Sequence, residues 1–414
     1  MSEHRSAARS AAHGSGRFRR WTWRAIAGVA GVALGAACMA SAQRAQRAPS
    51  SSLRPVSPVP VGPTHAAPVP EPRDRVLLVW TPTRLPDTMA ARVAPLAGVE
   101  RVTSVNGGLV SMTRSWDAGG GIVDQPRPGF VIPLDGMAFD PATFAPFVPA
   151  TVRPVFEHLR ADEVLLGTTS ARLRRVHAGA TLELAGGRRV TVAGIVDDSV
   201  IGAAEVAFTR TGASTELPTP RYLLVAYDGD RTHIEVAIRG TVEAALPVRF
   251  RGPGETPFFR QGDAVLAQVF LKARFGEFAF RPGEGKTIVI DPDWERANLV
   301  SRDDPILGRL RCHKDLLPAL DGAMRELERR HLAFVVASFE GCWNPVRIVE
   351  GGDLSRHAWG AAVDLNYAKN PTQIVSAQDP RLVDVMTRWG FTWGGHWLVP
   401  DPAHFEFLRL PPSG

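Results

Sequence analysis

Apolar and polar positions along this 414-residue chain change period several times, and each change marks an element. Arg75–Trp80 is almost continuously apolar after its first residue and predicts a buried strand, and Pro86–Leu96 carries apolar residues at helical spacing. Thr181–Ala185 and Arg188–Val196 alternate on either side of Gly186-Gly187, the pattern of two strands joined by a turn. Pro318 suits the first turn of a helix, and Leu320, Ala323, Met324, Leu327 and Leu332 then recur at near-helical spacing among charged residues. Ala333–Phe339 predicts another buried strand. In an extended segment Ala362, Asp364 and Asn366 share one face, with Val363 and Leu365 on the other. Near the end His404 and Glu406 share a face while Phe405 and Phe407 point into a core. The expected fold class is α+β in two domains, an α+β domain followed by a small antiparallel sheet with flanking helices.

The N-terminus follows different rules. Arg17, Arg19, Arg20 and Arg24 precede an uncharged run, Ala25 to Gln43, close to the length that spans a bilayer. Basic residues 1–24 are expected on the cytoplasmic side and everything after residue 43 outside. Residues 25–43 serve either as a single-pass membrane anchor or, cleaved after Ala40-Ser41-Ala42, as a signal peptide releasing a secreted protein. Cys38 follows Leu34-Gly35-Ala36-Ala37, a poor lipoprotein box, and reads as a small apolar residue of the run. Residues 44–74 are rich in proline and predict an extended linker without a core.

Lysine plus arginine number 48 against 42 acidic residues, but much of the excess lies in the first 54 residues, so no nucleic-acid partner is expected. The three cysteines, Cys38, Cys312 and Cys342, have no CxxC spacing and exclude a thiolate zinc finger. Any metal must be held by nitrogen and oxygen. Cys312 and Cys342 flank the predicted helix and strand and can pair in an oxidising exterior.

The candidate chemistry is concentrated after residue 340. His357 sits on the turn before the Ala362–Asn366 strand, Asp364 on its open face, and His404 on the last strand. Two imidazoles and one carboxylate with an open fourth position suit a catalytic Zn2+, and Asp401 is an acid placed to take a proton from water. Gly360 permits close approach of backbone or substrate. Trp343, Trp359, Trp389, Trp393 and Trp397 are expected mainly in the core.

Ser355-Arg-His357-Ala-Trp-Gly360-Ala-Ala362-Val-Asp364 has the form SxHxxGxAxD, and Asp401-Pro-Ala-His404-Phe-Glu406 is an acid-x-x-His-Phe-Glu tail. Together they resemble the D-alanyl-D-alanine carboxypeptidase and L-alanyl-D-glutamate endopeptidase (VanY-like) zinc peptidase superfamily. The resemblance implies His357, Asp364 and His404 as zinc ligands, Asp401 as general base, and Arg347 of the Asn344-Pro345-Val346-Arg347 segment as a catalytic and substrate-binding cation. It also implies Ser355 near the substrate. Glu406 is expected to steady His404, and His396 stands where relatives often have an acid. The implied activity is hydrolysis of peptidoglycan stem-peptide amide bonds, as a carboxypeptidase or an endopeptidase. The alternative is a non-catalytic peptidoglycan-binding or membrane-complex partner. Farther upstream, Leu165–Arg174, Gly179–Leu184 and Val190–Val196 resemble the extracytoplasmic core domain of MacB-type and FtsX-type permeases. The expected organisation is therefore a basic segment 1–24, an anchor or signal peptide 25–43, a linker 44–74, a MacB-like domain 75–250 and a peptidase domain 251–414.

Overall fold

The computed structural model describes residues 75–255, 260, 262–263, 265–349 and 352–409. The expected basic segment, membrane run and linker, with Cys38, lie outside these residues. Among the described residues no helix is long and apolar enough to cross a membrane.

The fold is mixed α+β. Strands β1 (Val76–Trp80), β2 (Val99–Trp116), β3 (Ile122–Asp124), β4 (Ile132–Phe139), β5 (Glu163–Gly167), β6 (Thr181–Leu184), β7 (Arg189–Val196), β8 (Val206–Thr209), β9 (Pro220–Tyr227) and β10 (Arg249–Arg251) build one sheet. Its order is β10-β1-β9-β2-β4-β8-β5-β7-β6, and β6 pairs back onto β2, closing six strands into a barrel. The closure depends on the 18-residue length of β2, whose first half pairs β9 while Met112–Trp116 pair β6. Val110, Met112, Leu134, Val164, Leu182, Val192 and Phe208 are buried in one cluster. The predicted hairpin is β6–β7, where Gly186 and Gly187 have φ of 88° and 82°, a region that side chains resist. The Pro86–Leu96 helix is shorter than expected, Met89–Val93. Arg251, the first residue assigned to the C-terminal segment, still belongs to β10.

The C-terminal part contains two hairpins, β11 (Phe280–Pro282) with β12 (Ile288–Ile290) and β13 (Leu299–Asp304) with β14 (Gly308–His313). The helix Leu317–Arg329 carries Pro318 in its first turn, where proline is tolerated. A four-stranded antiparallel sheet follows, in the order β15 (Phe339–Gly341), β16 (Ala362–Leu365), β18 (His404–Phe407), β17 (Phe391–Trp393). Val363, Phe405 and Phe407 pack in one core with Leu320 and Leu327 of that helix and with Leu382 and Met386 of the helix Pro380–Arg388. Alternation then assigns Asp364, His404 and Glu406 to the opposite face.

Two expectations fail here for one reason. Ala333–Val335 is a 3-10 turn, and the strand begins only at Phe339. The N–H groups of Ala337 and Ser338 donate to Oδ1 of Asn366, at 2.6 and 3.1 Å, instead of to a strand. Asn366 has left-handed φ of 60°, so it leaves the Ala362–Asp364 face, and its amide donates to the Val335 carbonyl and the Gln378 side chain. Of the five tryptophans assigned to the core, Trp359 is fully buried; Trp343, Trp389, Trp393 and Trp397 are only partly covered.

All described residues fall in one compact unit. Val131 and Phe280 exchange backbone hydrogen bonds of 2.8 and 2.9 Å between the barrel side and β11. Beside them lies a buried ionic cluster. Lys272, on the helix Gln268–Phe275, reaches Glu205 at 2.8 Å and Glu277 at 2.9 Å, and Arg174 reaches Glu277 at 2.6 Å and Glu205 at 3.5 Å.

Candidate metal centre

Asp364 and His404 face each other across β16 and β18, which brings their side chains together on the open face of the sheet. Glu406 lies opposite Ala362, whose small side chain leaves room for the carboxylate. His357 arrives from the 3-10 turn Arg356–Trp359. Ser355 caps that turn: its hydroxyl accepts the His357 N–H at 3.2 Å. Gly360 ends it with φ of 63°, and a Cβ there would meet the His313 nitrogen at 2.8 Å. No side chain fits that corner, so the glycine permits the chain to turn from His357 into β16.

The three side chains converge on a small triangle. His357 Nε2 is 3.1 Å from His404 Nδ1 and 3.2 Å from Asp364 Oδ2, and His404 Nδ1 is 3.0 Å from Asp364 Oδ1. Donors about 2.0 Å from a tetrahedral ion lie about 3.3 Å apart, so these separations fit one cation. The outer ring nitrogens are engaged in the sense that coordination needs. His357 Nδ1–H donates to the Cys342 carbonyl at 2.8 Å, turning the Nε2 lone pair inward. His404 Nε2 lies 3.2 Å from Glu406 Oε2, so an N–H there leaves Nδ1 as the donor to a metal. Among the described residues His357, Asp364 and His404 are the group able to hold a metal ion.

Electrostatics agree with the geometry. Desolvation raises the Asp364 carboxyl, but hydrogen bonds to His357 and His404 outweigh it and hold its pKa well below the usual carboxylate range. Burial alone would lower His404; hydrogen bonds to Asp364 and Glu406, with their charges, instead push it up to about 10. This is a centre arranged for positive charge. Burial raises the Asp401 carboxyl, with the Asp364 charge adding and the His404 charge opposing.

The remaining sequence candidates have distinct places. Asp401 is partly buried, its N–H bound to the Gly394 carbonyl and its carbonyl accepting the His404 N–H. Arg347 directs its guanidinium over the Phe280 ring, 5.1 Å away, and donates to the Gly352 carbonyl at 2.8 Å. His396 is exposed and packs edge-on against Trp393. Three contributors were not readable in the sequence. Trp397 covers His404 at 5.1 Å between ring centroids, Arg356 places Nε 4.0 Å from Glu406 Oε1, and Thr372 donates to Asp401 at 3.2 Å.

Cys312 and Cys342 form a disulfide with Cα atoms 5.3 Å apart. The bridge fixes the residue whose carbonyl orients His357. Thirty residues separate the two cysteines, and opening a loop of that size should cost about 3–4 kcal/mol of stability in the chain-entropy model. Thermal unfolding with and without reductant checks this, and an unchanged Tm would reject the stabilising role.

Residues 349–407 match the D-alanyl-D-alanine carboxypeptidase family. The matched segment contains Ser355, His357, Asp364, Asp401, His404 and Glu406, while Arg347 lies just before it. No curated protein matches the chain. Among solved structures, the chain is similar to the periplasmic region of MacB from Actinobacillus actinomycetemcomitans, with 10% identity, a TM-score of 0.30, and coverage of 43% of this chain and 88% of that one. It is also similar to the extracellular domain of the noncanonic ABC-type transporter YknZ from Gram-positive bacteria, with 10% identity, a TM-score of 0.27, and coverage of 39% and 88%.

Proposed function

We propose that this protein is a zinc metallopeptidase that hydrolyses stem-peptide amide bonds of peptidoglycan, working outside the cytoplasm on a single N-terminal anchor or after release from it. The observation that carries this reading is the triangle of His357, Asp364 and His404, with both outer imidazole nitrogens engaged, inside the segment that matches the carboxypeptidase family. The Cys312–Cys342 disulfide supports an oxidising compartment.

Zinc, when bound, would acidify a water and polarise the scissile carbonyl. His357, Asp364 and His404 would hold the ion, and Glu406 keeps His404 in the tautomer that presents Nδ1 inward. Asp401 receives the proton of the attacking water and delivers it to the departing amine; a carboxyl raised by burial suits both tasks. Ser355 acts here through the His357 turn. Arg347 is the cation for a substrate carbonyl or carboxylate. A guanidinium has five N–H donors, so its bond to Gly352 does not exhaust it.

The deciding experiment incubates the purified protein with muropeptides and reads the products by mass spectrometry. Hydrolysis should occur, stop with a chelator and return with Zn2+; the mass lost identifies carboxypeptidase or endopeptidase cleavage. Muropeptide binding without any change of mass would reject the enzyme reading in favour of a binding module.

A further inference from the structure

We infer that Thr372 is a positioning residue that aims the Asp401 carboxylate at the centre. This rests on the reading of Asp401 as the proton acceptor. The Asp401 backbone is fixed on both sides, by the Gly394 carbonyl and the His404 N–H, but those bonds leave its side-chain torsions undetermined. One hydrogen bond reaches that side chain among the described residues, from Thr372 Oγ1 to Oδ1 at 3.2 Å. A proton acceptor tolerates little error in aim, because it must meet its proton at hydrogen-bond distance.

The loop carrying Thr372 is itself held in place. Gln373 donates its N–H to the Pro400 carbonyl at 2.7 Å, so Thr372 and Asp401 are registered through adjacent residues of the same two segments. Gln373 makes that bond with a left-handed φ of 71°, a conformation that costs a non-glycine residue energy and is kept by the surrounding contacts. On the upstream side, Asn370 Oδ1 accepts the Ala377 N–H at 2.9 Å and Asn370 Nδ2 donates to the Asn366 carbonyl at 3.1 Å, closing the loop onto the end of β16. Thr372 is exposed, so its replacement removes a hydroxyl without disturbing a core. The role is orientation; Thr372 touches the acceptor and has no part in the bonds made or broken.

The test compares Thr372→Val with Thr372→Ser in the full chain, using muropeptide kinetics and crystal structures of both variants. The valine variant should lose about 10-fold in kcat with KM and zinc content unchanged, its Asp401 carboxylate should adopt another rotamer, and serine should restore both properties. Wild-type kcat in the valine variant, or an Asp401 rotamer unmoved by the substitution, would overturn the inference. If the wild-type protein cleaves no muropeptide, the peptidase reading fails by itself, and the Asp401 rotamers in the two structures still decide whether Thr372 sets the orientation.

Discussion

Replacing Asp401 with asparagine should lower turnover of muropeptides by about 10²–10⁴-fold while leaving the bound zinc in place, the range expected when a general base is removed. Asparagine keeps the size of the side chain and an oxygen for the Thr372 hydroxyl but cannot accept the water's proton. Metal retention follows because the triangle of donors is complete without Asp401. Turnover and zinc content, measured on the same preparation, separate the possibilities. Normal turnover would remove Asp401 from the mechanism, whereas loss of zinc would make it part of the metal-holding framework.

The second large effect lies outside the candidate metal centre. Lys272→Met should destabilise the protein by about 3–5 kcal/mol, the cost of leaving a buried charge without its partner. Lys272, Arg174 and Glu205 are all inaccessible to solvent, and Glu277 nearly so, which makes two cations and two carboxylates in one buried cluster. Glu205 Oε1 accepts from Gln268 at 2.8 Å and from the Asp135 N–H at 3.1 Å, while Oε2 accepts from Lys272 at 2.8 Å and, at the longer distance of 3.5 Å, from Arg174. Methionine preserves the length and apolar contacts of the stem, so the loss isolates the charge. Urea unfolding measures it, and a change below about 1 kcal/mol would mean that water or Arg174 compensates Glu205. The cluster also bears on the metal centre. The helix carrying Lys272 ends at Phe275, whose carbonyl accepts from His313, and the next carbonyl, Gly276, accepts from Trp359 in the turn that bears His357.

Buried His313 illustrates how a single environment selects a protonation state. Desolvation lowers its pKa to about 3, while the bond to Phe275 opposes the shift. Its Nδ1 accepts the Asp315 N–H, so Nε2 carries the proton given to Phe275. The ring is neutral and belongs to the support of the site.

How far the sequence could be read depended on the range of the interactions involved. Alternation put Asp364 on one face of β16, and His404 with Glu406 on one face of β18, because side-chain direction along a strand has a period of two. The SxHxxGxAxD pattern from Ser355 to Asp364 marks His357 and Asp364 as candidate donors through the family resemblance it carries. Helical spacing after Pro318 and the Gly186-Gly187 turn were equally local signals and appear in the fold where they were expected. Ala333–Phe339 misled because its apolar run says nothing about Asn366, which takes the N–H groups of Ala337 and Ser338.

The sequence alone therefore determined the candidates: two imidazoles and a carboxylate able to hold a metal through nitrogen and oxygen, an acid close to the second imidazole along the chain, and a mixed α+β fold. Tertiary structure decided what orients that chemistry. The register of Asp364 against His404, the Cys342 carbonyl behind His357, the Thr372 hydroxyl on Asp401 and the closure of β2 onto β6 join residues far apart in the chain. Local periodicity records which way a side chain faces along its own strand or helix. The partner it meets is set by long-range pairing and by the need of buried polar groups for hydrogen bonds, which only the folded chain supplies.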